Sequence, residues 1–173
     1  MANTTFSGPV RSLNGFISFG PKAVVSLTAT ATLTVADHAG RILTCNAASG
    51  KFTLPTITSG SAAEVAGAND YNVLSNLGCI YTFWVETAAT DMDIKTDGTD
   101  RFFGAVYTGL DDSAAGKTFI SDSATNDVMT MNGTTKGGIA GSWVQFTAIA
   151  SAAYYVTGQL LGSSTLVTPF ADA

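Results

Sequence analysis

Few residues of this chain have the types and spacing that chemistry needs. Its single histidine, His38, follows Asp37 in an Asp-His-Ala-Gly turn. A hydrolytic triad requires a nucleophile, a base and an orienting group held together. One turn histidine beside one carboxylate reads instead as a solvated surface residue. The two cysteines, Cys45 and Cys79, sit in strand-like segments far from each other and from His38. They give no ligand pair at metal-site spacing and read as small buried hydrophobes rather than a disulfide.

Gly116-Lys117-Thr118 is shaped like the end of a phosphate-binding loop. That loop needs a glycine five residues before Gly116, where backbone N–H groups turn toward phosphate. The position is Asp111, followed by Asp112, and two carboxylates there repel phosphate. Asp91-Met92-Asp93 with Asp97-Gly98-Thr99-Asp100 faintly resembles a calcium loop. Lys95 and Thr96 occupy the positions where such a loop needs an oxygen ligand and a glycine, so an acidic hairpin tip is the better reading. Glu64 and Glu86 are the only glutamates, and nothing in the sequence pairs them as glycoside hydrolysis requires. The chain reads as non-enzymatic, with no cofactor and no metal.

The composition narrows the classes further. Only 12% of the 173 residues are charged, about half the usual fraction. The 46% hydrophobic content and net charge of −5 exclude a disordered chain. Eight basic residues against thirteen acidic ones make the wrong field for nucleic acid. No apolar run approaches the ~20 residues of a membrane span. The N-terminus lacks a basic region followed by an apolar core, so no signal peptide is expected.

The elements that would position any site are strands. Residues 1–22 form a separate segment, broken by Gly8, Pro9, Gly15, Gly20 and Pro21 yet carrying Phe6, Val10, Leu13, Phe16, Ile17 and Phe19. It reads as an extended arm that docks on a partner, or as an edge strand on its own domain. Residues 23–173 form one domain. Ser26 to Val35 alternates strictly between Ser or Thr and apolar residues, which predicts one half-buried strand. Further strands are expected over 41–47, 51–55, 79–85 (apolar on both faces), 101–107, 117–120, 127–131, 142–150 and 154–161. Met92 and Ile94 are expected in a hairpin closed at Asp97-Gly98, and residues 56–77 in a loop. About 8–10 short antiparallel strands at this spacing predict an all-β fold, a single β-sandwich of jelly-roll-like or Ig-like type.

The order of several short motifs carries a resemblance. Leu33-Thr34-Val35-Ala36-Asp37-His38-Ala39-Gly40-Arg41-Ile42-Leu43 is followed by Phe52-Thr53-Leu54-Pro55 and Gly78-Cys79-Ile80-Tyr81-Thr82-Phe83-Trp84-Val85. Then come Met92 to Gly98, Phe103-Gly104-Ala105-Val106-Tyr107, Gly141-Ser142-Trp143-Val144-Gln145-Phe146 and Tyr154 to Gly158. The opening Thr5 to Ser12 and Asn14-Gly15-Phe16 complete the pattern. From about residue 4 to 160 the chain resembles small virion structural proteins of tailed bacteriophages, marine ones in particular. It departs from them in a long Ser59–Asn76 loop. A second departure is Ala148 to Ala153, where an Asp-Gly turn is usual, so the register of the last hairpin stays open.

The resemblance implies a capsid decoration, or cement, protein. Such a protein is made in the host bacterial cytoplasm and sits on the virion's capsid surface as a homotrimer bound to the major capsid protein. Phe6, Val10, Arg11, Phe16 and Phe19 are the expected docking residues of the arm. Tyr81 and Trp84 are candidates for subunit contacts, with the core as the default for large strand aromatics. The alternative is a head-fibre or tail-fibre module that binds a host receptor or glycan, with Tyr107 near Asp111 and Asp112.

Overall fold

The computed structural model describes residues 23–58, 75–110 and 115–172. The expected arm docking residues Phe6, Val10, Arg11, Phe16 and Phe19 lie outside them, as do Asp111, Asp112 and most of the expected loop. Twelve strands and one helical turn are present among the described residues. One sheet has seven strands, in the order β1 (Val24–Leu27), β3 (Ile42–Cys45), β5 (Ile80–Val85), β10 (Trp143–Ala150), β11 (Ala153–Gly162), β7 (Arg101–Leu110) and β8 (Lys117–Ile120). The other has five, in the order β12 (Phe170–Ala171), β9 (Val128–Met131), β6 (Met92–Lys95), β4 (Lys51–Thr53) and β2 (Ala31–Thr32). The helical turn α1 spans Val35–His38. The fold is all-β, built from two sheets of mixed topology.

From β1 to β7 the chain passes to the other sheet at every step. A crossover of this kind can bring a strand back beside its predecessor pointing the same way, as a tight hairpin cannot, and it does so up to β5 in one sheet and β6 in the other; β7 instead lies apart from β5, beyond β10 and β11. β1 pairs parallel with β3, and β3 with β5. β2, β4 and β6 repeat the arrangement in the other sheet. β11 also lies parallel to β7. The expected antiparallel layout is thus corrected for these pairs, and holds for β5–β10, β10–β11, β7–β8, β6–β9 and β9–β12.

The same winding corrects two local readings. The alternating run from Ser26 to Val35 is not one strand, because the chain crosses between sheets inside it. The Thr30 hydroxyl accepts from the Lys51 N–H at the crossing, and Thr34 caps α1 by accepting from the Asp37 N–H. Met92 and Ile94 do not form a hairpin. Asp97-Gly98 carries the chain from β6 to β7 in the opposite sheet, and β6 pairs with β4 and β9 instead. The last hairpin has a definite register, with Phe146 opposite Val156 and a shift between Ala148 and Ala150 before its turn.

One hydrophobic core takes side chains from both sheets. Phe52 of β4 meets Phe83 of β5 at 6.1 Å between ring centroids. Phe83 stands edge-on to Phe146 at 5.9 Å, and Phe146 lies 4.9 Å from Phe102. This file of rings crosses from the five-stranded sheet to the seven-stranded one and then runs along it. Tyr154 is buried with them and donates its hydroxyl to the Pro55 carbonyl at 2.6 Å.

Candidate functional site

The residues singled out for chemistry are occupied with local structure. Nδ1 of His38 lies 3.0 Å from the Thr34 N–H, which closes α1. Lys51 bridges Asp91 and Asp93, at 2.9 Å from each. Burial works against ionisation of Asp97, but hydrogen bonds from Thr56 and Thr99 outweigh it and hold the carboxyl below its ordinary value. Asp100 is buried and accepts from the Ile57 N–H at 2.8 Å; burial pushes its carboxyl up. Asp91 and Asp93 thus share Lys51, while Asp97 and Asp100 are each held by local hydrogen bonds. Among the described residues no group of three His, Cys, Asp or Glu converges to hold a metal ion. Cys45 is buried and Cys79 partly so, both as free thiols. Lys117 donates to the Leu166 carbonyl, 3.1 Å away.

The two strand aromatics separate by parity. Tyr81 points into the core, fully buried, while Trp84, three positions on, is 45% exposed on the opposite face. β5 is therefore covered on one face only within this chain, while its other face is exposed and carries Ile80 and Trp84.

Trp84 belongs to an outer face that runs the width of the seven-stranded sheet. Register places Ser26, Thr44, Trp84, Trp143, Gln159, Tyr107 and Thr118 in one row across it. The next row runs Val24, Ile42, Thr82, Gln145, Thr157, Ala105, Ile120. A shorter third row holds Ile80, Thr147, Tyr155 and Phe103. None of these residues is charged. Glu86 and Arg101 stand at the two ends, Glu86 bonded by Asn46 and Arg101 turned to the buried Asp127 at 3.1 Å. The outer face of the five-stranded sheet differs: there Lys51, Asp93 and Lys95 point outward.

No family model, curated protein or solved structure matches the chain.

Glycines shape the uncharged face. Gly104 has φ +128°, which side-chain-bearing residues rarely adopt; the Val156 carbonyl oxygen lies where its Cβ would be, with the Tyr155 ring close beside. The Tyr107 ring passes beside Gly109, and its hydroxyl end lies over Gly116. Both tyrosines pack against glycine positions of the sheet, each 46% exposed. Beyond Tyr107 the outward positions fall to Gly109, Leu161 and Gly141, and the poverty of side chains there leaves an open groove of about 430 Å³ lined by Tyr107, Gln159, Leu161 and Ile139 among others. Sequence reasoning noted Trp84 and Tyr107 but not Trp143, Gln159 and Tyr155 as their companions. Parity along each strand was visible; the row that joins them depends on register between distant strands.

Proposed function

We propose that this chain is a non-enzymatic structural protein of a tailed-phage virion, a decoration protein bound to the major capsid protein on the capsid surface as a symmetric oligomer. Its two sheets then act as the layers of a β-sandwich, wound rather than connected in jelly-roll or Ig-like order. The observation that carries this reading is the asymmetry between the two outer faces. Charged side chains keep a free sheet face in water, whereas interface cores are depleted of charge and enriched in aromatics. The seven-stranded sheet has that interface composition, and the five-stranded sheet has that of a wetted surface. The order of sequence motifs supplies the phage assignment.

The test is cosedimentation of the purified protein with undecorated heads of the phage that encodes it. Saturable binding, and loss of it on deleting residues 2–20, is expected. Unimpaired binding by the deletion overturns the role of Phe6, Val10, Arg11, Phe16 and Phe19. Light scattering should show a closed homo-oligomer, and a stable monomer counts against the reading.

A second reading, a fibre module that binds a surface glycan, is favoured by one observation. Tyr107, Tyr155 and Trp84 expose aromatic surface on one face, and Tyr107 also lines the groove.

A further inference from the structure

We infer that the outer face of the seven-stranded sheet binds a neutral carbohydrate, along the row Trp84–Trp143–Gln159–Tyr107 and into the groove beyond Tyr107. The inference deepens the glycan-binding reading and does not need capsid decoration to hold. Three features of the face point to this class of ligand.

The first is ring exposure. Tyr107 packs against Gly109 and Gly116 and Tyr155 against Gly104, and each keeps close to half of its surface open. Apolar C–H faces of a pyranose stack on such rings, as they do on any exposed aromatic face. The second is what lies between the rings. Gln159 separates Trp143 from Tyr107, and Gln145 and Thr157 sit one row away. Gln145 donates to the Thr82 hydroxyl at 3.1 Å, which orients its amide. Amides and hydroxyls both donate and accept, which suits the hydroxyls of a sugar. The third is charge. With no ionic group in the three rows, the face offers nothing to a uronate, a sulfate or a sialic acid.

The groove supplies the end of the site. Its volume of about 430 Å³ falls in the usual range of small-molecule sites, ~300–1,000 Å³. Leu161, Tyr107 and Gln159 line it.

The experiment is native electrophoresis of the full chain in gels containing laminarin, dextran, mannan, galactan or alginate. Retardation by at least one of the four neutral polymers is expected, and none by alginate. Tyr107→Ala and Trp143→Ala should weaken the retarding interaction at least tenfold, while Tyr107→Phe keeps it. Thr157→Glu should weaken it without changing the urea midpoint, so loss of binding is read apart from loss of fold. Mobility unchanged in all four neutral gels overturns the inference. So does equal retardation by alginate, or binding that survives Tyr107→Ala and Trp143→Ala together. An oligomer that dissociates in Thr157→Glu assigns the face to a second copy and overturns it as well. Head cosedimentation reads the decoration proposal separately.

Discussion

Phe83 is the ring on which the contact between the two sheets turns, and its truncation can be worked through. The side chain is fully buried and touches Phe52 across the sheets and Phe146 within its own. Removing a buried phenylalanine costs about 3–5 kcal/mol through lost transfer energy and the cavity left behind. With a urea m-value of about 2 kcal/mol/M, Phe83→Ala lowers the midpoint by roughly 1.5–2.5 M. Phe83→Leu, which refills most of the space, should cost clearly less. Phe52→Ala and Phe83→Ala combined should fall short of additivity by about 0.5–1.5 kcal/mol, the coupling of an aromatic pair. Fluorescence of Trp84 and Trp143 follows the seven-stranded sheet, and far-ultraviolet circular dichroism follows both. The two signals should remain coincident in wild type. A Phe83→Ala midpoint within 0.5 M of wild type, or separate transitions for the two probes before any mutation, would refute the shared core.

Three other outcomes follow from groups described above. Asp100 has a raised folded pKa, so its contribution to stability is complete below the unfolded value of about 3.9 and is lost as pH rises through the folded one. Asp100→Asn should therefore gain on wild type between pH 3.5 and 6.5 in urea midpoints, and a constant difference contradicts the shift. Arg101 donates to Asp127, to the Gly98 carbonyl at 2.7 Å and to the Ala124 carbonyl at 3.2 Å. Arg101→Met should cost about 1–3 kcal/mol in a thermal melt, and a loss under 0.5 kcal/mol shows that the network contributes little. Burial pushes the Cys45 thiol up to about 12 and raises Cys79 as well. Neither should react with a disulfide reagent within minutes at pH 8, while both should in urea; fast labelling of Cys45 in the native protein contradicts its burial.

Much of the strand content was legible in the residues themselves. Phe52, Tyr81, Phe83, Met92 and Ile94 all face the core as their alternation requires. Alternation gives the face of a strand, however, and not its neighbour. Val24 and Ile42 are laid side by side in parallel by a crossing at Thr28–Thr30 that alternates as smoothly as the strand before it. The same gap hid the site. Trp84 and Trp143 are adjacent only because β5 and β10 pair, across a stretch of sequence that contains four other strands. Gly116, which looked like part of a phosphate loop, instead leaves room for Tyr107. No local pattern distinguishes those two uses of a glycine.

The position of β11 has a consequence for how this protein is made. β11 lies between β10 and β7, parallel to one and antiparallel to the other. Without residues 153–162 the strand order leaves the larger sheet as two unjoined pieces, β1-β3-β5-β10 and β7-β8. Each piece ends in an open edge of unpaired backbone groups, the kind of edge that recruits stray strands. A nascent chain stalled just short of Ala153 would display both edges at once. The last long strand is the closing piece, and the interval before it arrives is when a holding chaperone has most to protect.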